Sequence, residues 1–215
     1  MPTSEASSMY QTDLELFHTV RIATLGLTAE LTDQQAAFSP GPGRWSIGEV
    51  LDHILLAEQL YRDRFTRLIE LKKAGRKAEL VSDFSEINTS VLFIPKPMLP
   101  ALELPFKMMN LFVPAAVRET LTRYRLMPAQ APSIAEPRKG RPVAELREAL
   151  QESLAQTRKL FQDNQDLNYR EMRLSHPLMG NNNVLQLVRI MALHEQRHQD
   201  QFRRVAESAA YPKSS

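Results

Sequence analysis

Apolar residues recur at three- and four-residue steps in four stretches of this chain, a spacing that predicts four long helices. In the first stretch, from about Asp13 to Leu31, the residues Leu16, Val20, Ala23 and Leu27 share one face. The second opens at Ser46, where Ser46-Ile47-Gly48-Glu49 fits a capping box: the serine accepts from the first turn and Glu49 reaches back. It runs to about Lys73 with Val50, Ile54, Ala57, Tyr61, Phe65 and Leu68 inward, and Gly75 closes it. Pro142 suits the first position of a third helix, whose stripe of Leu146, Leu150, Leu154 and Phe161 reaches about Asp163. Asn182 or Asn183 can cap the fourth, with Val184, Leu187, Val188, Met191, Phe202 and Val205 on its inner face.

Between the second and third helices lies a long link, from about residue 75 to residue 141. It holds most of the prolines: 14 occur in the chain, and all but five fall between Pro95 and Pro142. Antiparallel neighbours need only a short loop, so a link of this length predicts that helices two and three run parallel. The link also carries Phe93, Ile94, Phe106, Leu111 and Phe112, which predicts that its first half packs, and a short helix is expected near Met108 to Arg125. No strand pattern of any length is visible, although Arg170 to Leu174 suits extended chain. The tail from Ala209 to Ser215 is expected to fray. The organisation implied is one domain over residues 1–215, with the proline-rich segment at about 75–141 as an insertion.

Composition narrows the chemistry. There is no cysteine among the 215 residues, which removes disulfides, thiolate metal sites and a cysteine nucleophile. A net charge of +2 gives no electrostatic reason for a nucleic-acid or membrane partner. No uncharged stretch approaches the roughly 20 residues of a membrane span. The acidic, polar start is unlike a signal peptide, so a cytoplasmic protein is expected.

The histidines carry what remains. His194 and His198 stand i, i+4 in HEQRH, close enough to share one ion, and their register with Leu187, Met191, Phe202 and Val205 points them into the bundle. His53 lies between Val50, Ala57 and Leu60 on the second helix and also faces inward. Three buried imidazoles without partners would be costly, so a three-nitrogen metal site at His53, His194 and His198 is the reading that explains them together. His18 has Leu14, Ile22 and Leu25 at helical offsets, which suggests a polar core residue or an outer partner of the site. His176 precedes Pro177 in a loop and reads as a surface residue, with a place at the pocket mouth as its alternative. HEQRH matches the zinc-protease pattern, but the extended class needs glycine and histidine where Gln201 and Arg204 stand. Glu195 reads as a solvated or ion-paired side chain and only a weak base. Tyr61 reads as core, with proton donation as its alternative. Arg197 reads as a surface ion pair, with an anionic substrate group as its alternative. GPGRWS is a turn, and KKAGRK and RKGR read as solvated charges.

The segments GRWSIGEVLDHILLAE (43–58), KGRPVAEL before the third helix, and HPLMGNNNVLQLVRIMALHEQRHQDQ (176–201) together resemble the DinB/YfiT-like superfamily. That resemblance implies an all-α four-helix bundle with up-down-down-up topology. It also implies one divalent metal, zinc, nickel or iron, held by His53, His194 and His198. Relatives of this kind include transferases that use mycothiol, bacillithiol or glutathione as a low-molecular-weight thiol co-substrate.

These readings converge on a metal-dependent enzyme acting on a small molecule. Three histidine ligands leave a position open for water, substrate or thiol, as a catalytic rather than a structural site does. Thiol transfer to a small electrophile is expected first and metal-assisted hydrolysis second. A non-catalytic metal-binding stress-response module is the rival, and a homodimer is a candidate assembly. No residue presents itself as a catalytic group of the protein's own.

Overall fold

The computed structural model describes residues 4–82, 114–124, 135–176 and 180–213. In chain order, helix α1 spans Ser4–Leu27, α2 Asp33–Ala37 and α3 Ile47–Lys73, followed by strand β1 at Glu79–Val81. Helix α4 (Ala115–Tyr124) and helix α5 (Val143–Gln162) come next, then a 3-10 turn at Tyr169–Glu171. Strands β2 (Arg173–His176) and β3 (Gly180–Asn183) lead directly into α6 (Val184–Ala206). The four long helices are those expected from the spacing, and the small sheet is an addition to them.

The caps explain where two of the four begin. Ser46 and Glu49 exchange hydrogen bonds of 3.2 and 2.8 Å at the start of α3. Asn183 and Gln186 do the same at 2.9 Å each at the start of α6, which selects Asn183 over Asn182. Pro142 sits one position earlier than expected, as the cap of α5, and Asp33 of α2 accepts from the Val143 N–H at 2.8 Å. Gly48 lets α2 lie against the start of α3, since a Cβ there would come 3.2 Å from the Ala36 carbonyl oxygen. Gly75 takes φ +67° and turns the chain out of α3.

The first helix departs from its expected bounds and register. It starts at Ser4 and ends at Leu27, with turn hydrogen bonds carrying the chain on to Leu31. Its buried face is Tyr10, Leu14, Phe17, Val20, Arg21, Thr24 and Thr28, whereas Ala23 and Leu27 are exposed. An arginine and two threonines on that face hide it from a hydrophobicity pattern. His18 accordingly leaves the core: it is half-exposed, 3.9 Å from Glu15.

Contacts along the helices fix their directions. Asp52, early in α3, meets Arg141 just before α5, and Lys72, late in α3, meets Glu171 beyond the end of α5, so these two run the same way. Asp13 and Thr24 of α1 meet Arg189 and Gln199 of α6 in the same order, so that pair is also parallel. Arg158 and Arg147 of α5 meet Glu15 and Ala29 in reverse, which sets the two pairs antiparallel.

The sheet has the order β1-β2-β3, with β1 parallel to β2 and β2 antiparallel to β3. It corrects the expectation of an all-α chain. Its strands are three or four residues long, too short to show alternation, and Gly-Asn-Asn-Asn is a poor strand sequence by propensity. His176 is a strand residue paired with Gly180 and half-buried, and so not a loop residue on the surface. The sheet follows the end of α3, about 30 Å of helix from His53, so His176 has no place at that histidine. The tail is docked as far as residue 212: Tyr211 packs edge-on against Phe38 and the Pro212 carbonyl accepts from Gln35. Of the expected link helix, Ala115–Tyr124 is seen. Phe93, Ile94, Phe106, Leu111 and Phe112 lie outside the described residues. No described helix is long and apolar enough to cross a membrane.

Two apolar clusters fill the bundle. One, toward the sheet, gathers Phe17, Phe65, Phe161, Met172 and Leu187; the other gathers Ile47, Leu51, Leu146, Leu150 and Phe202. Each such side chain contributes about 1.5–3 kcal/mol when fully buried. Between the clusters lies a charged layer. Arg21, fully buried, pairs with both oxygens of Glu195 at 2.9 and 3.0 Å, with Glu58 at 3.0 Å and with the Leu150 carbonyl at 2.6 Å. Burial alone would push its pKa down, but the Glu195 and Glu58 carboxylates more than reverse this and hold it charged.

Removing Arg21 strands two buried carboxylates. Arg21→Met should therefore cost about 3–5 kcal/mol in denaturant unfolding, and a loss under about 1 kcal/mol would contradict the account. Burial pushes the His176 pKa down to about 4. Its neutral form is thus favoured by folding, so the stability it contributes is present above the unfolded value near 6.5 and is lost as pH falls from there toward about 4. The stability slope over that window should flatten in His176→Gln; an unchanged slope would show that other groups carry it.

Candidate metal centre

His53 occupies the second turn of α3, oriented by the capping box that starts the helix, while His194 and His198 are one turn apart on α6. These two helices bring the three rings together: His53 Nε2 lies 3.4 Å from His194 Nε2, which in turn lies 3.2 Å from His198 Nε2. Candidate ligand atoms of all three lie within 4.8 Å of one another. Ring centroids are 4.5–5.2 Å apart, so the rings meet edge to face around a common point. The indole of Trp45 packs on His53 with centroids 4.9 Å apart.

The outer nitrogens decide what faces inward. His53 Nδ1 donates to the Ala135 carbonyl at 2.8 Å, and His198 Nδ1 donates to Gln201 Oε1 at 3.0 Å. Both Nε2 atoms of these neutral rings therefore present lone pairs. His194 can supply at most one N–H between them, whereas a cation would satisfy all three nitrogens. A tetrahedral ion at about 2.0–2.1 Å from each nitrogen would set them about 3.3–3.4 Å apart, which the two observed spacings match. The residues present thus fit a metal ion.

Electrostatics agree with that use. Burial lowers the His53 pKa; the Ala135 contact opposes this and the Arg197 charge reinforces it. Burial pushes His194 well below the ordinary histidine value, helped by His198, Arg197 and His53. Both rings are neutral near pH 7, the form that binds a metal.

The described end of the link clasps this site. Asp52, with its side chain fully buried, accepts from the Arg138 backbone N–H at 2.7 Å and from the guanidinium groups of Arg138 and Arg141 at 3.2 and 2.6 Å. Those bonds hold the segment that presents the Ala135 carbonyl to His53. Helix α4 docks beside it, with Arg123 pairing to Asp200 at 2.5 Å and Glu119 to Arg189 at 2.9 Å. Within RKGR, Arg138 and Arg141 therefore anchor the segment to Asp52, while Lys139 is a solvated charge as expected. Asp52, Ala135 and Gln201 escaped the sequence reading because each acts through a hydrogen bond set by the fold. The sequence signals were an aspartate on the buried side of α3 beside a candidate ligand, and Gln201 three residues after His198 at the end of the segment that carries the resemblance.

Other candidates fall into place around the triad. Glu195 is buried and bound to Arg21, so it is ion-paired, not solvated, and not available as a base. Tyr61 lines a small cavity of about 20 Å³ with His194, Glu58 and Met191, enough for one water. Burial raises the Tyr61 pKa, which keeps its hydroxyl a donor. Arg197 is half-buried, with Nη2 3.4 Å from His198 Nε2. GPGRWS forms a turn, Arg44 N–H donating to the Gly41 carbonyl at 3.1 Å.

A family model, that of the DinB superfamily, matches residues 16–202, a span that includes all three histidines. Neither a curated protein nor a solved structure matches the chain.

One divalent ion per chain is the expected stoichiometry, abolished in His198→Ala; full metal content in that variant would contradict the site. Because folding depresses the His53 and His194 pKa values, proton competition should begin only below about pH 6.5. Affinity should therefore be level above that pH and fall beneath it, as competition titrations across pH would show.

Proposed function

The chain belongs to the DinB superfamily, and from that premise we propose that it is a metal-dependent enzyme. His53, His194 and His198 hold one divalent ion, zinc, nickel or iron. The reaction is transfer of a low-molecular-weight thiol to an electrophilic small molecule. The observation that carries the reading is the convergence of three Nε2 atoms at 3.2 and 3.4 Å, with two of the outer nitrogens tied back to Ala135 and Gln201. When bound there, the ion supplies Lewis acidity that lowers the pKa of whatever fills its remaining position.

The protein's own groups do the rest. Ala135 and Gln201 fix the ring orientations, and Trp45 shields one face of His53. Among the described residues, the carboxylates beside the triad are already committed, Glu195 and Glu58 to Arg21 and Asp52 to Arg138 and Arg141. Hydrolysis calls for a positioned base to take a proton from water, and these carboxylates are not available for it. A thiol has a far lower pKa than water and needs no such base, which favours thiol transfer over hydrolysis.

The assay incubates metal-loaded protein with a panel of electrophiles, with and without glutathione, bacillithiol or mycothiol. Thiol-dependent product that disappears in His194→Ala is the expected result. Product formed equally well without thiol would point to hydrolysis instead, and no product with metal intact would leave a binding module.

A further inference from the structure

Asp52 and His53 are consecutive on α3, both are buried, and both reach the same short stretch of chain, residues 135–141. His53 Nδ1 donates to the Ala135 carbonyl at 2.8 Å. Asp52 accepts from the Arg138 backbone N–H at 2.7 Å, from the Arg138 guanidinium at 3.2 Å and from the Arg141 guanidinium at 2.6 Å. The Arg138 side chain is mostly exposed, so the bond to its backbone is the one that fixes where this stretch lies, and with it the Ala135 carbonyl. Bonds to an ionised carboxylate are of the stronger kind. Lys139, 3.9 Å from Glu49 and exposed, adds little beside them.

The Ala135 carbonyl can only accept. The ring that meets it therefore carries its proton on Nδ1 and keeps a lone pair on Nε2, 3.4 Å from His194 Nε2. Without that acceptor the proton is free to sit on Nε2, where it blocks the place of a metal ion. An imidazole that ligates a metal also needs a partner for its other N–H. The docked stretch and a bound ion thus favour the same state of the same ring.

We propose that Asp52 is a positioning residue for the metal centre. It holds residues 135–141 against α3, keeps the Ala135 carbonyl on His53 Nδ1, and so makes docking of this stretch and occupancy of the triad stabilise each other. This rests on the three-histidine reading above. A coupling of two such events is reciprocal, so the stretch tightens on the ion by the factor by which it strengthens ion binding.

The test uses the full chain and zinc, with affinity measured by chelator competition and docking by amide hydrogen exchange. Asp52→Ala should weaken zinc binding about 10- to 100-fold, the usual effect of losing a partner behind a ligand, and Asp52→Asn, which keeps an acceptor for the Arg138 N–H, should weaken it less. In wild-type protein zinc should slow exchange of the Arg138 amide by a factor similar to that loss. Nitrogen-15 NMR of the metal-free protein should show His53 protonated on Nδ1, with the Nε2–H form gaining in Asp52→Ala. Leu68→Ala, about four turns further along α3, should lower stability while leaving zinc affinity and the His53 proton where they are. Unchanged zinc affinity in Asp52→Ala, an unchanged His53 proton, or a loss in Leu68→Ala as large as that in Asp52→Ala overturns the proposal and leaves the three-histidine centre standing. Failure of wild-type protein to bind zinc overturns both.

Discussion

Arg21 is the point through which the four long helices are tied. Its guanidinium leaves α1 and reaches Glu58 on α3, the Leu150 carbonyl on α5 and Glu195 on α6, all without solvent. A buried cation is tolerable only when its donors are met, and here the geometry that meets them also fixes the relative rotation of α3 and α6. That rotation is what the metal centre needs. His194 precedes Glu195 by one residue, and Glu58 follows His53 by little more than one turn, so the ion pair that aligns the carboxylates also sets how the imidazoles face each other. Thr157 adds a hydrogen bond of 2.7 Å to Glu58, extending the layer to α5 by a second contact.

A second constraint acts from outside the bundle. Asp52 and His53 are adjacent, and the segment 135–141 grips both, Arg138 and Arg141 on the aspartate and the Ala135 carbonyl on the imidazole. The link between α3 and α5 therefore ends on the site. Its described part orients a histidine, which gives this region a chemical role that its composition alone did not reveal.

How much of this could be read beforehand depends on the kind of signal. Helices α3, α5 and α6 carry strong apolar stripes and identifiable starts, a capping box for α3 and α6 and Pro142 for α5, and their inward residues Val50, Leu146, Leu150, Leu187 and Phe202 are buried where the spacing put them. The three histidines share that register, so their meeting was legible. Helix α1 was misread because its face alternates Leu14, Phe17, Arg21, Thr24 and Thr28: the three- and four-residue steps are regular, but the polar members mask them. An arginine at the centre of such a run, with glutamates at inward positions of two other helices, was the available clue. The sheet left no comparable trace. Its β1–β2 pairing is non-local, β1 lying far from β2 in the chain, β2 and β3 pair locally, and strands of three or four residues are made by their neighbours rather than by their own sequence. The Asp52 clasp was hidden for a similar reason, since Arg138 and Arg141 look like surface charge until the fold places a buried carboxylate between them.

The central claim is that three imidazole nitrogens bind one ion and leave room for a further ligand. X-ray absorption at the zinc edge of the zinc-loaded full chain tests this most directly. The account predicts three imidazole nitrogens at about 2.0–2.1 Å with their ring scattering, and one sulfur at about 2.3 Å on addition of thiol. A shell of oxygen scatterers without imidazole rings would contradict it.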